Sequence, residues 1–234
     1  MQTIGLIGGM SWESTLSYYK ALNEGIKQAL GGMHSAKIVL NSVDFAEIEA
    51  LQHRGCWDEA GELLSKAAQS VEAGGADFLL ICTNTMHKVA AQVEASVSIP
   101  LVHIADATAE QLINDGIRRV GLLGTAFTME QDFYKGRLQD KFGIDVIAPD
   151  EQQRALVHRV IYEELCQGQI QPESRSHYLQ IIDALHQQGA DAVILGCTEI
   201  ALLVNASDTD VPLYDTTAIH SEAAIRYALR ESRE

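Results

Sequence analysis

A threonine and a cysteine occupy matching places in two similar segments of the chain. The apolar run 78–82 leads into Thr83, and the apolar run 192–196 leads into Cys197. A thiol has an ordinary pKa of about 8.5, so it can act as acid and as base, whereas a hydroxyl can donate or relay a proton. If the two groups faced one carbon from opposite sides, one could remove a proton and the other return it. Thr83 and Cys197 are therefore candidate catalytic residues for inversion at a carbon.

Small polar side chains follow both candidates. Asn84 and Thr85 come after the threonine, and Thr198 and Glu199 come after the cysteine. Since a helix should begin at each place, these side chains and the first backbone N–H groups could hold a carboxylate. A helix that begins at Cys197 should also lower the pKa of its thiol.

Alternating elements must position these residues. Short apolar runs predict strands, and apolar residues at helical spacing predict helices between them. The predicted strands are 3–7, 37–43, 77–82 and 99–103, and the clearest predicted helices are 12–30, 58–72 and 152–164. The first helix has an apolar stripe at Trp12, Leu16, Tyr19, Leu22, Ile26 and Leu30. Strands that alternate with helices indicate an α/β fold with mostly parallel sheets.

The second half of the chain repeats the order of the first. Four pairs of segments match, roughly 112–116 residues apart, as expected for an internal duplication. The pairs are 4–9 with 120–125, 19–20 with 134–135, 75–77 with 189–191, and 99–101 with 211–213. The repeat predicts two pseudo-symmetric α/β lobes, 1–103 and 104–213, the first completed by a C-terminal helix within 214–234. Ligands of parallel sheets bind beyond the carboxyl ends of the strands, so we expect the active site in the cleft between the lobes.

Composition excludes several classes of protein. The chain has 234 residues, of which 47% are hydrophobic and 21% are charged, so it is not a disordered chain. Its net charge of −15 disfavours a nucleic-acid or membrane partner, because it offers no cationic surface for phosphate.

The four cysteines, at 56, 82, 166 and 197, form no CxxC or CxxH pair, so no metal site is expected. With no long apolar segment, the chain is expected to be cytoplasmic, with its cysteines as thiols. Cys82 should point away from Thr83 into the core, because strand side chains alternate.

Three motifs together resemble the cofactor-independent aspartate/glutamate racemase family, and in particular its enterobacterial amino-acid racemases. The motifs are IGLIGGMSWEST at 4–15, CTNTMH at 82–87 and GCTE at 196–199. The resemblance covers nearly the whole chain. It implies two lobes with the active site between them, racemisation of an amino acid such as aspartate or glutamate without pyridoxal phosphate or another cofactor, and a homodimer.

The pattern departs from the family at one catalytic position. The family's second cysteine falls on Cys197, but its first falls on Thr83. A chain with threonine there is implied to remain a racemase with one favoured enantiomer. In this hypothesis Cys197 removes the α-proton of the L-isomer and Thr83 reprotonates the opposite face. The implied substrate-binding residues are Met10, Ser11, Gln52, Asn84, Thr85, Thr125, Thr198 and Glu199; helix capping is the alternative role for those with short polar side chains and for Glu199.

Two other functions stay open. The superfamily includes single-cysteine decarboxylases of malonate-type acids, which also lack the first cysteine. A non-catalytic amino-acid-binding protein could have kept the cleft and lost one base. The roles of His87, Asp106 and Asp215 are also left open between structure and catalysis.

Overall fold

A computed structural model describes residues 1–230 of the chain, so the end of the predicted C-terminal helix, 231–234, lies outside the described residues. Internal contacts group the chain into two units. Of the described residues, unit 1 contains Met1–Ile104 and 220–230, and unit 2 contains Ala105–Ile219. Within residues 1–230, no helix has both the length and the apolar character needed to cross a bilayer.

Unit 1 alternates strands with helices, as the apolar periodicity predicts. Its elements are β1 (Ile4–Gly8), α1 (Trp12–Leu30), β2 (Ile38–Ser42), α2 (Phe45–Arg54), α3 (Trp57–Ala73), β3 (Phe78–Ile81), a 3-10 helix (Thr85–Val89) and α4 (Ala90–Ala95). The first three predicted strands and the first two predicted helices agree with these bounds to about one residue at each end, the usual uncertainty of an element's end.

The three strands of unit 1 form a parallel sheet in the order β2-β1-β3. The prediction of a fourth strand over 99–103 is wrong. Only Leu101 pairs with the sheet, as a single bridge to Leu79. The Leu79 N–H donates to the carbonyl of Pro100 at 2.9 Å. The Val102 N–H donates to the carbonyl of Leu79 at 2.9 Å, so this segment joins the sheet around Leu79 as a single bridge and not as a strand.

Strand β3 divides its side chains between two apolar clusters, because successive strand residues point to opposite faces. Phe78, Leu80 and Cys82 pack on the α1 side, and Leu79 and Ile81 pack on the α3 side. Cys82 is completely buried, and burial raises the pKa of its thiol far above the ordinary range. The expectation that Cys82 is a core residue is therefore confirmed.

Helix α1 buries only part of the predicted apolar stripe: Leu22 and Ile26 are buried, but the residues at its start are exposed. The buried residues are Ser14, Thr15, Tyr18, Leu22 and Ile26. Trp12, Leu16 and Tyr19 are 63%, 56% and 51% exposed. The Ser14 hydroxyl donates to the backbone carbonyl just after β3 at 2.9 Å, and the Thr15 hydroxyl accepts from the backbone N–H just after β1 at 2.8 Å. These bonds turn the small polar residues inward and leave the large apolar ones outside.

Unit 2 repeats the alternation, and its last helix continues into unit 1. The elements are α5 (Ile104–Asn114), β4 (Arg119–Gly124), α6 (Ala126–Glu130), α7 (Asp132–Phe142), β5 (Asp145–Ile147), α8 (Glu151–Glu163), a 3-10 helix (Leu165–Gln167), α9 (Pro172–Gln187), β6 (Ala192–Gly196), α10 (Ile200–Leu203), β7 (Leu213–Asp215) and α11 (Thr216–Ala228). Helix α8 confirms the prediction over 152–164.

The two sheets share one topology, which confirms the predicted repeat. The sheet of unit 2 is parallel with the order β5-β4-β6-β7, so β5, β4 and β6 correspond to β2, β1 and β3. Strand β7 pairs Leu213 with Val193, as Leu101 pairs with Leu79 in unit 1.

One matched pair needs a correction by one residue. Tyr134 is completely buried in α7, but Tyr19 is exposed on α1, and its neighbour Tyr18 is the buried tyrosine. Tyr18 and Tyr134 are therefore the equivalent pair, since each is completely buried in the helix of its unit.

Candidate active site

The predicted site residues of unit 1 collect where two neighbouring strands end. Met10 and Ser11 follow β1, and Thr83 follows β3, which pairs with β1 in parallel. Met10 is buried within the apolar cluster on the α3 side. Ser11 is the N-cap of α1, where its hydroxyl accepts from the Ser14 N–H at 3.4 Å.

Gly9 has to be glycine for this arrangement. Its φ is +96°, and a Cβ there would collide with the backbone of Val43. The close approach places the loop after β1 against the end of β2.

Three further predicted residues surround the end of β3. Gln52 of α2, Asn84 and Thr85 are 3–5% exposed. The Gln52 side-chain amide donates to the Met86 sulfur at 3.1 Å, which holds α2 against the 3-10 helix. Asn84 makes no side-chain cap at that helix, so the capping alternative is wrong for this residue.

Thr83 is the half-buried residue at the centre of this group. Within residues 1–230 its hydroxyl contacts no hydrogen-bond partner, whereas its backbone carbonyl is bound by the His87 ring at 2.8 Å. Among the described residues, no base therefore contacts this hydroxyl.

His87 is a neutral, structurally bound histidine. Its Nε2 accepts the Ile104 N–H at 3.2 Å, so Nδ1 carries the proton that is donated to the Thr83 carbonyl. Both ring nitrogens of His87 are therefore hydrogen-bonded to backbone groups, and neither contacts the Thr83 hydroxyl.

Unit 2 has the same layout at the ends of β4 and β6. Thr125 follows β4 and is the N-cap of α6, where its hydroxyl accepts from the Thr128 N–H at 3.4 Å. Ser11 makes the equivalent cap in unit 1, so these two predicted binding residues also have a capping role. Cys197 follows Gly196, whose Cβ would lie 2.8 Å from the Leu123 carbonyl. Glycine is thus needed for the close approach of the strands below the cysteine.

Cys197 is bonded to an acidic side chain. Its Sγ donates to Oε2 of Glu199 at 2.9 Å, and Glu199 is 4% exposed. Glu199 stands at the N-cap of α10 but makes no side-chain cap, so the capping alternative is wrong for this residue too. A buried carboxylate in contact with a thiol is a built-in proton acceptor.

The prediction of a lowered thiol pKa is wrong. Burial raises the pKa of Cys197 well above its ordinary value, and the charges of Glu199 and Cys166 raise it further. Helix α10 has only four residues, so its dipole is too weak to offset these effects. In the ligand-free protein the cysteine is therefore a protonated thiol.

Thr198 belongs to a polar cluster at the start of α11. Its hydroxyl and that of Thr217 are 2.9 Å apart, and the Thr216 hydroxyl donates to the Leu195 carbonyl at 2.9 Å. Asp215 accepts from the Thr217 N–H at 2.8 Å and so caps α11. Burial nevertheless raises the pKa of Asp215. Asp215 therefore has a structural role as the cap of α11.

Asp106 has a structural role as well. It accepts from Arg137 at 2.9 Å and from Lys141 at 2.6 Å, and these bonds tie α5 to α7. Burial alone would raise the pKa of Asp106, but the two cations hold it below the ordinary value.

Sequence reasoning missed the residues that support Thr83. Ser14 binds the Cys82 carbonyl, and Tyr18 binds His220 with 2.7 Å between the hydroxyl and Nδ1. Ser14 and Tyr18 were not predicted to be buried, because neither residue lies on the apolar stripe assigned to α1. No sequence pattern indicated the role of His220, since the residues that it contacts are far away in the chain.

Comparison with known proteins gives one consistent family. A family model described as Asp/Glu/Hydantoin racemase matches residues 7–224. The broad specificity amino-acid racemase RacX of Bacillus subtilis (strain 168) is 23% identical over 230 residues, which are 95% of this chain and 96% of that protein.

Two solved structures share the fold along the whole chain. A candidate Asp/Glu racemase from Yersinia pestis is 57% identical, with a TM-score of 0.92 over 98% of this chain and 100% of that chain. An aspartate racemase homologue from Pyrococcus horikoshii OT3 is 34% identical, with a TM-score of 0.85 over the same shares. These matches confirm the resemblance drawn from the three motifs. The chain belongs to the Asp/Glu/Hydantoin racemase family and is an isomerase.

Proposed function

We propose that the protein is a cofactor-independent amino-acid racemase of the aspartate/glutamate class that favours the L-isomer as substrate. The observation that carries this proposal is that only one of the two candidate acid/base groups has a carboxylate beside it. Cys197 has Glu199 bonded to its thiol, whereas the Thr83 hydroxyl has no base beside it among the described residues.

Proton removal is assigned to Cys197. The thiol proton passes to Oε2 of Glu199 along their hydrogen bond, and the resulting thiolate takes the α-proton of the L-isomer. The pair of electrons from the broken C–H bond spreads into the substrate carboxylate, which hydrogen-bond donors around the site stabilise. The protonated Glu199 then donates its hydrogen bond to the thiol sulfur.

Reprotonation is assigned to Thr83. Its hydroxyl is a weak acid and a far weaker base, so it can return a proton to the opposite face of the carbanion more readily than it can remove one. A water molecule then restores the hydroxyl proton, and the hydroxide that forms takes the proton from Glu199, so both groups return to their starting state. This asymmetry supports faster reaction from the L-isomer than from the D-isomer.

Substrate binding is assigned to polar groups at the strand ends. The α-carboxylate and ammonium are assigned to the buried side chains of Asn84, Thr85, Thr198 and Glu199, and to backbone N–H groups of Met10 and Ser11. Thr125 and Gln52 complete the proposed set. These assignments follow from the family motifs and from the position of the residues beside Thr83 and Cys197 within their units.

The test is α-proton exchange in D2O, followed by NMR and chiral analysis over both enantiomers of aspartate, glutamate and other amino acids. The protein is first treated with hydroxylamine and dialysed, which removes any pyridoxal phosphate. Exchange from L-aspartate or L-glutamate with formation of the D-isomer is expected. Loss of CO2 from an arylmalonate without exchange would instead indicate the decarboxylase, and saturable binding without exchange would indicate the amino-acid-binding protein.

The same proposal includes a homodimer and a cytoplasmic location. The exposed side chains of Trp12, Leu16 and Tyr19 lie at spacings of four and three residues on one face of α1, which suits contact with a second copy. Fractionation of cells that express the protein tests its location.

A further inference from the structure

We infer that His87 is a positioning residue that aims the Thr83 hydroxyl, and that it does so by holding the Thr83 carbonyl. The inference rests on the proposed function, because it concerns the group to which reprotonation is assigned. It is carried by hydrogen bonds on both sides of the Thr83 α-carbon.

Both peptide groups next to Thr83 are tethered. The carbonyl of the preceding Cys82 accepts from the Ser14 hydroxyl at 2.9 Å, and the Cys82 N–H donates to Ile7 at 2.9 Å. The carbonyl of Thr83 itself accepts from Nδ1 of His87 at 2.8 Å. With both peptide planes held, the direction of the Cα–Cβ bond is set, and only χ1 of a stiff β-branched residue remains free.

His87 is itself held from three directions. Its Nε2 accepts the Ile104 N–H at 3.2 Å. Its ring centroid lies 4.5 Å from that of His103 and 5.9 Å from that of His220, and the ring planes meet at 61° and 67° in edge contacts. His87 is 3% exposed, so it cannot swing into solvent.

His220 fixes the far side of this cluster. Its Nε2 donates to the Val102 carbonyl at 2.7 Å, and its Nδ1 accepts from the Tyr18 hydroxyl at 2.7 Å. Burial lowers the pKa of His220 to about 4, so the ring is neutral at pH 7. The histidines form a rigid support behind Thr83, and they leave its hydroxyl to the substrate.

The experiment separates positioning from general structure by comparing two rates in D2O with the full chain and an L-substrate. Exchange of the α-proton with retention needs Cys197 and its partner Glu199 but not Thr83, whereas formation of the D-isomer also needs Thr83. Two isosteric variants divide the hydrogen bonds of His87. In His87→Asn, the side-chain amide can still donate to the Thr83 carbonyl but loses the acceptor for Ile104. In His87→Gln, the longer side chain can accept from Ile104 but leaves the Thr83 carbonyl without its donor.

We expect His87→Gln to lower the ratio of D-isomer formation to exchange by about tenfold or more, since a small misplacement of a catalytic group can cost about a hundredfold. His87→Asn should keep the ratio within about twofold of the wild-type value, because the donor to Thr83 is preserved. Equal ratios in the two variants, or equal losses of both rates, would overturn the inference.

A second variant keeps the test decisive if His87→Gln does not fold. Ser14→Ala releases the Cys82 carbonyl on the other side of Thr83, and it should lower the same ratio while exchange persists. An unchanged ratio would overturn the inference. A wild-type protein that exchanges no amino acid would refute the proposed function, and the inference with it, so the two failures are distinguishable.

Discussion

The thiol of Cys197 and the carboxylate of Glu199 form a hydrogen-bonded pair, with Sγ and Oε2 2.9 Å apart and the carboxylate buried. The pair has two opposite effects. The negative charge of Glu199 opposes formation of a thiolate in the empty site, yet the same carboxylate is the nearest acceptor for the thiol proton. The following predictions use this pair and its counterpart Thr83.

Replacing Glu199 by glutamine should separate the two effects. In ligand-free Glu199→Gln, the pKa of Cys197 falls because a neighbouring negative charge is lost, so alkylation of Cys197 at pH 8 becomes faster. Racemisation should become slower by about 10²-fold or more, because the proton acceptor is lost. Peptide mass spectrometry measures the alkylation of Cys197, and chiral chromatography measures racemisation. Glu173→Gln, an exposed change on α9, is the matched control. Slower alkylation in Glu199→Gln would contradict this account of the thiol pKa.

Removing the Cys197 thiol should abolish both exchange and racemisation. In Cys197→Ala, both rates should fall by about 10²–10⁴-fold, the usual contribution of a positioned acid or base. The control is Cys56→Ser, because Cys56 precedes α3 and makes no side-chain cap. NMR in D2O reads out both rates. Full racemisation by Cys197→Ala would eliminate the two-base proposal.

Changes at Thr83 should alter the balance between the enantiomers. Thr83→Cys supplies a thiol that can act as a base, so use of the D-isomer should increase by about tenfold or more. Thr83→Ala should lose racemisation but keep α-proton exchange from the L-isomer. Thr83→Ser keeps the hydroxyl and serves as the control. No gain with the D-isomer in Thr83→Cys would argue against the assigned role.

The buried His220 should make the protein less stable in mild acid. Its pKa is lowered to about 4 in the folded protein and is near 6.5 when unfolded, so the unfolded chain binds more protons between these values. Neutral His220 therefore contributes its full share to the free energy of unfolding above pH 6.5. As the pH falls to 4, protonation of His220 in the unfolded chain lowers this free energy by about 3 kcal/mol. Urea unfolding at several pH values measures this slope.

Two variants isolate the contribution of His220. His220→Gln should flatten the slope between pH 6.5 and 4, although it is less stable at pH 7 because it loses ring contacts and hydrogen bonds. His34→Gln, an exposed change, should leave the slope as it is. An unchanged slope in His220→Gln would assign the acid sensitivity to other groups.

The exposed face of α1 predicts how the proposed dimer can be broken. Leu16→Glu combined with Tyr19→Glu should give a single-chain mass in analytical ultracentrifugation at concentrations where the wild type sediments as a dimer. Burying one leucine contributes about 1.5–3 kcal/mol, so dissociation should become at least about tenfold easier. The control is Met33→Glu, which changes a side chain that is 98% exposed. A dimeric double variant would place the interface elsewhere.

The amino-acid sequence by itself determined the class of fold, the repeat and the family. Apolar runs and helical spacing are local patterns, so β1, β3 and α8 were predicted to within about a residue. The repeat paired Thr83 with Cys197 because both follow equivalent strands. The alternation of strand side chains correctly predicted that Cys82 is buried in the core. Such features depend on neighbouring residues and on matching segments, which a sequence displays directly.

Only the tertiary structure decided which face α1 buries and how the site groups are charged. The buried face at the start of α1 depends on a hydrogen bond that Ser14 donates at the end of β3 and one that Thr15 accepts at the end of β1, and these outweigh the apolar stripe there. The pKa of Cys197 depends on burial and on the Glu199 carboxylate, whose direction no spacing rule predicts. His220 reaches the cluster from the far end of the chain. Contacts between distant residues and the removal of water set these properties, so they exist only once the chain has folded.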